Sequence, residues 1–242
     1  WEGSINSAYI AATGQYLLDR GFSIFRLNFR DHGDSHHLNT GLFYATLLDE
    51  VQQAVMAAAR MTPGLPVFVC GFSLGGNFAL RIARSWPQKL PKDIDLRHVV
   101  AVSPVLDPSK ATDAIDSHRL IRRYFQKKWK NSLIRKQQLF PELYDFTDIL
   151  KLTSIRQMTE KLLSRYSTYP GAATYFDGYT LCGPALKAVS IPTTIITATD
   201  DPIIPVEDFY DLPTGENLRL MIHPYGGHNG FIGSWRGNTW YE

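Results

Sequence analysis

Short runs of apolar and β-branched residues, each bounded by turn formers, recur at Phe22–Phe29, Val67–Phe72, His98–Ser103, Thr193–Thr199 and Leu218–His223. Runs of that length and composition are expected of strands buried in a sheet. Between them, helical spacing of apolar positions extends over Ser7–Asp19, Leu42–Met61, Gly76–Trp86 and, briefly, Val206–Leu212. The alternation predicts βαβ units, hence the α/β class: a mostly parallel sheet with helices on both faces, and functional residues just past the carboxyl ends of the strands. From Val105 to about Ser190 only helical patterns occur, across a stretch too long for a plain connection in a compact domain. The expected organisation is a core of residues 1–104 and 191–242 with an inserted helical cap of residues 105–190.

Composition narrows the class without deciding the chemistry. The 242 residues are 44% hydrophobic and 20% charged, as in ordinary globular proteins. A formal net charge of +2 makes no electrostatic case for a nucleic-acid partner, and none is expected. No apolar run reaches the roughly 18 residues that a membrane-spanning helix needs. Cys70 and Cys182 lie too far apart in sequence to read as a disulfide framework or a thiolate zinc site, and a reducing, cytoplasmic setting fits them. The opening Trp1-Glu-Gly-Ser reads as a loop entered in mid-fold, so upstream sequence carrying the first strands of the sheet is expected.

Candidate chemistry concentrates at Gly71-Phe72-Ser73-Leu74-Gly75. This fits G-x-S-x-G where the pattern matters, between a buried strand and a helix. Such a turn exposes the Ser73 hydroxyl on a strained backbone, and the close approach of strand and helix calls for Gly71, Gly75 and Gly76. The Leu74 amide opens the helix, where unpaired N–H groups and the helix dipole favour a developing oxyanion. A serine needs a base, and the base an acid to fix its tautomer. Thr199-Asp200-Asp201-Pro202 closes one apolar run and Tyr225-Gly226-Gly227-His228-Asn229-Gly230 follows the last. They supply His228 as the base and Asp200 or Asp201 as the acid, with Asp107 a third candidate.

These segments, with Phe25-Arg-Leu-Asn-Phe-Arg-Asp-His-Gly-Asp-Ser35 and Gly226-Gly-His-Asn-Gly-Phe-Ile232, resemble the α/β-hydrolases. Within them they are similar to the YheT-like branch and its eukaryotic acylglycerol and phospholipid hydrolase relatives. The resemblance spans nearly the whole chain. It implies an α/β-hydrolase fold, Ser73 as nucleophile, and His228 as general base and then general acid. Because the acid in related hydrolases directly precedes a small or proline residue and two apolar ones, it also implies Asp201 as the acid, leaving Asp200 to satisfy loop amides. The branch ends an early strand in a His-Gly pair, and the next amide completes the oxyanion hole. That pair is not in this chain, and Trp1 takes the position of the second donor. Asn28 and Asp31 depart from the commoner Asp and Gly of the Arg30–Ser35 loop, an architectural loop beside the elbow that Arg30 and Ser35 are expected to brace by hydrogen bonds. His32, His36 and His37 lack a recognisable ligand spacing, so no metal and no cofactor are expected.

The segment His118–Lys136 has no acidic residue, and Ile121, Phe125, Trp129 and Leu133, with Leu120 and Tyr124 alongside, draw an apolar stripe among basic positions. It reads either as a cap helix packing its stripe and solvating its charges or as a helix making peripheral contact with an anionic membrane surface or acidic head groups. Tyr166, Tyr169, Tyr175, Phe176, Tyr179 and Leu181 extend the aromatic character. The expected function is a serine esterase, lipase-like, cleaving short- to medium-chain acyl or lipid-like esters through an acyl-enzyme. The alternatives are a thioesterase or acyltransferase with the same residues, or a catalytically silent lipid-binding hydrolase fold.

Overall fold

The computed structural model describes residues 2–89, 91 and 93–231. In chain order its regular elements are helix α1 (Ala8–Leu18), α2 (Leu48–Arg60), strand β1 (Val67–Phe72), α3 (Leu74–Lys89), β2 (Leu96–Val102), α4 (Pro108–Ser117), α5 (Arg119–Leu139), α6 (Thr147–Lys151), α7 (Ile155–Tyr166), α8 (Ala172–Asp177), β3 (Thr193–Ala198) and β4 (Leu218–His223). The described residues divide into two compact units: one joins residues 2–44 with Thr112–Tyr175, the other joins Ala45–Ala111 with residues 176–231.

The second unit holds the sheet. Its four strands lie in the order β1-β2-β3-β4, every pair parallel. Phe72 pairs with Val102 and Ala198 with His223. All four carboxyl ends therefore share one edge, so the loops after them converge there. The inner strands carry the core: Val99, Ala101, Val102, Ile195 and Ala198 are fully buried, whereas Phe68 on β1 is half exposed. Helix α3 packs on β1 and β2, burying Phe78, Leu80, Ile82 and Ala83.

The first unit has its own core, formed by Leu42, Leu133, Phe146, Ile149, Met158 and Leu162. Helix α7 is held at its start by two caps. Ser154 Oγ accepts from the Gln157 amide at 3.2 Å, and the Asp116 carboxylate accepts from Ile155 N at 2.8 Å, Arg156 N at 3.1 Å and Ser154 Oγ at 2.7 Å. These bonds satisfy amides that the first helical turn leaves without partners.

Three sequence expectations differ from the structure. Phe22–Phe29 forms no strand: apolar composition supplies β propensity, but a strand exists only where a neighbour completes its ladder, and Phe25 and Leu27 are about half exposed. Helix α2 begins at Leu48 rather than Leu42. The Arg81 guanidinium takes the Ala45 carbonyl at 2.6 Å and approaches that of Thr46 at 3.5 Å, which turns both away from helical acceptor roles. Lys136, expected on a solvated face, is 1% exposed. Its ammonium donates to Asp31 Oδ1 at 2.7 Å and to the carbonyls of Asn39 and Gly41 at 2.6 and 2.9 Å, and Asp31 Oδ2 accepts from Phe43 N at 2.9 Å.

Candidate active site

Strand β1 ends at Phe72 and α3 starts at Leu74, so one residue, Ser73, makes the turn. Its φ is 53°, the left-handed region that costs a non-glycine residue about 1 kcal/mol or more. The fold holds it there from both sides. The Ser73 amide donates to Val102 O at 2.9 Å, and its carbonyl accepts from Asn77 N at 3.1 Å and Val105 N at 3.3 Å. A Cβ on Gly71 would lie 2.2 Å from the Gly75 oxygen, and one on Gly76 would lie 3.0 Å from Pro104 Cβ. Any side chain at Gly71 would thus meet backbone, the reason this turn demands glycine there.

The turn presents Ser73 Oγ 2.9 Å from His228 Nε2. On the other side of the ring, Nδ1 lies 2.9 Å from Asp201 Oδ2. An ionised carboxylate only accepts, so Nδ1 carries the proton and Nε2 faces the serine with a lone pair. The Asp201 side chain is fully buried, and its other oxygen accepts from Ile203 N at 2.8 Å and Ile204 N at 3.0 Å. Two amides and one imidazole N–H therefore meet the buried charge. Asp200, its neighbour, points elsewhere: Oδ1 accepts from Gly226 N at 2.8 Å and Gly227 N at 2.7 Å. It ties the loop after β3 to the loop that carries His228. That loop is also pinned by Phe231, 1% exposed, whose ring leaves no room for a Cβ on Gly226, the nearest ring carbon being 2.4 Å away.

The Leu74 amide stands at the first turn of α3, where no intrahelical carbonyl reaches it, beside Ser73. Trp1, the other expected oxyanion donor, lies outside the described residues. With His228 Nδ1 taken by Asp201, Asp107 serves its own helix: its Oδ1 accepts from Lys110 N at 3.0 Å. Lys110 Nζ also sits 2.6 Å from Asp208 Oδ1. Asp107 and Asp208, with Cys182, form a group of potential metal ligands, but Lys110 already supplies a cation there, and burial pushes the Cys182 thiol up to about 11, away from the thiolate. The three early histidines do not converge. His32 Nδ1 bonds to Arg30 O at 2.8 Å, while His36 Nε2 meets Ser132 Oγ at 2.8 Å. Ser35 braces its loop as expected, donating to Phe29 O at 3.0 Å and His32 O at 2.8 Å.

Two features escaped the sequence reading. Asn77, fully buried, donates to Val105 O at 2.8 Å and Tyr179 O at 2.7 Å, fastening the start of α3 to the chain on either side of the helical segment. The motif G-x-S-x-G-G-N contained it, but nothing in sequence gave its acceptors. Within the first unit, Leu42, Phe43, Tyr44, Trp129 and Tyr175 with Asp31 and Lys136 line a cavity of about 50 Å³, several times the roughly 10–15 Å³ that one water occupies. Tyr175 and Trp129 thus belong to one aromatic wall, while Phe176, Tyr179 and Leu181 are buried in the other unit.

Comparison with known proteins bears on the family and the fold. The family described as "Serine aminopeptidase, S33" matches residues 5–230. No curated protein sequence matches. Among solved structures, the chain is similar to the esterase Pf2001 of Pyrococcus furiosus, with a TM-score of 0.54 and 16% identity over 97% of this chain and 74% of that one. It is also similar to the serine hydrolase CCSP0084 of Cycloclasticus zankles (TM-score 0.55, 18% identity, 93% of this chain and 80% of that one). A third is alpha/beta hydrolase domain-containing protein 10 from mouse (TM-score 0.51, 11% identity, 94% and 78%). At such identities these likenesses speak for the fold.

Proposed function

The chain belongs to the S33 serine aminopeptidase family of α/β hydrolases, and we propose that it is a serine hydrolase of carboxylic esters working through Ser73, His228 and Asp201. The observation that carries this is the pair of 2.9 Å contacts that runs from Ser73 Oγ through the His228 ring to a buried Asp201 carboxylate. In the proposed reaction Ser73 Oγ attacks the ester carbonyl carbon while His228 Nε2 takes its proton. The Leu74 amide, with that of Trp1, receives the oxyanion. His228 returns the proton to the leaving alcohol, and the acyl group remains on Ser73. Water, deprotonated by the same Nε2, then attacks the acyl carbon; the acid leaves and Ser73 regains its proton. Asp201 stays ionised and stabilises the imidazolium at both stages.

The ester specificity is supported by the esterase named among the similar structures. It is also supported by the apolar, aromatic composition between Val105 and Ser190, which suits acyl chains of short to medium length or lipid-like esters. The likeness of Trp1–Ser4 and Phe25–Ser35 to the YheT-like branch belongs to the same proposal. No helix among the described residues is long and apolar enough to cross a membrane, and a cytoplasmic setting is part of the reading. The same residues would serve thioester cleavage, acyl transfer or the amide cleavage named by the family description, which differ in leaving group and acceptor.

Labelling with a fluorophosphonate tests the nucleophile. The folded protein should label and Ser73→Ala should not; absence of labelling in folded protein refutes the reaction. A series of p-nitrophenyl esters of rising chain length, set against an acyl p-nitroanilide and an acyl thioester, then ranks the leaving groups. Faster turnover of the anilide than of every ester would overturn the ester assignment.

A further inference from the structure

Helix α5 has two opposed faces. One is buried through Phe125, Leu133 and Lys136. On the other, Leu120 is 80% exposed, Tyr124 57% and Ile134 40%, and at three- and four-residue spacing these fall on one side of the helix with Lys127 and Asn131 between them. Arg119, Arg123, Lys127 and Lys128, all exposed, flank that strip. The helix contains no acidic residue. Its ion pairs are Arg135 with Asp34 at 2.8 Å and Lys136 with Asp31 at 2.7 Å. Among the described residues no carboxylate forms a short ion pair with Arg119, Arg123, Lys127 or Lys128, although the Glu2 carboxylate attracts Lys128 from further off. The Lys128 ammonium instead stands 5.5 Å from the centre of the Tyr124 ring.

We propose that this outer face of α5 docks on an anionic lipid surface. Lysines and arginines would sit at the headgroup level, and Leu120, Tyr124 and Ile134 would enter the boundary with the acyl chains, where a Tyr ring with an apolar body and a polar tip is stable. The apolar members decide between polyanions. A nucleic acid would engage the charges through phosphates and leave Leu120 in water, and the overall charge of +2 gives no wider basic surface for it. A lipid surface uses both halves of the face. The inference goes beyond the hydrolase proposal and does not depend on it, since binding is measured without turnover.

The test is co-sedimentation of the full chain with phosphatidylcholine vesicles containing about a quarter phosphatidylserine, against vesicles of phosphatidylcholine alone. Each basic side chain near such a surface contributes about fivefold in partitioning. Arg123→Gln/Lys127→Gln/Lys128→Gln should therefore weaken binding by about a hundredfold at low salt, and raising salt should weaken the wild type in the same direction. Leu120→Ser/Tyr124→Ser should weaken it by about tenfold or more at any salt. Ser73→Ala should bind like the wild type, which separates this inference from the catalytic one. Equal binding to both vesicle types, an unchanged partition in either surface variant, or retention by duplex RNA without vesicle binding would each overturn it.

Discussion

Replacing Asp201 with asparagine exchanges one carboxylate oxygen for an amide group, and the surroundings decide which oxygen. Oδ1 accepts from two backbone amides, at 2.8 and 3.0 Å, while Oδ2 accepts from one imidazole N–H at 2.9 Å. Keeping the asparagine oxygen on the amide side preserves two bonds at the expense of one, a preference of about 1 kcal/mol. The NH2 then faces His228 Nδ1 and forces that nitrogen to accept. The ring proton moves to Nε2, and the nitrogen beside Ser73 can no longer take a proton. Loss of the working tautomer costs about ten-thousandfold in kcat, or about 5.5 kcal/mol of transition-state stabilisation. Asp200→Asn is the internal control. Its asparagine oxygen can retain both Gly226 and Gly227 amides, so only the charge assistance of exposed bonds is lost, and activity should fall by less than about tenfold. The assay is kcat/KM on a p-nitrophenyl ester, with circular dichroism to verify folding of both variants. A larger loss at Asp200 than at Asp201, or an Asp201→Asn variant within tenfold of wild type, would refute the assignment of roles.

Two further outcomes concern the first unit. Lys136→Met should lower the melting temperature by roughly 10 °C, because it strands the Asp31 carboxylate, whose side chain is 9% exposed; breaking a buried pair costs about 3–5 kcal/mol. Asp31→Asn/Lys136→Met should recover most of that loss, and an unchanged melting temperature in the single variant would contradict the buried pair. Burial pushes the His32 imidazole down from 6.5 to about 4, so the folded state holds it neutral. Its contribution is complete above pH 6.5 and is lost as pH falls toward 4, by about 3 kcal/mol, because the unfolded chain binds the proton first. Urea unfolding at pH 7 and pH 4.5 should show a smaller acid loss for His32→Asn than for wild type; equal losses would contradict it.

Local chemistry was legible where the requirement is local. Val67–Phe72 and Leu218–His223 are strands with the bounds their apolar runs predicted, although they are the outer strands of the four, since a short apolar, β-branched run between turn formers marks a strand wherever it pairs. Gly71 marks its turn because backbone approaches within 2.2 Å of where a Cβ would be, a demand that only one residue type meets. The adjacent Asp200 and Asp201 are alike in type, and only the Pro202-Ile203-Ile204 that follows Asp201, read through the family resemblance, told them apart. Their hydrogen bonds depend on which loop each carboxylate faces, and those loops are brought together from β3 and β4.

By itself, then, the sequence determined the α/β alternation, the helical stretch after Val105 and the elbow at Ser73, because propensity, periodicity and steric demand act over a few neighbouring residues. Only the tertiary structure decided that Phe22–Phe29 makes no ladder, that Arg81 draws off the carbonyls before α2, and that Lys136 is buried on Asp31, 105 residues away in sequence. Each of these depends on a partner distant along the chain, and a hydrogen bond or ion pair has no sequence signature until folding places both of its ends.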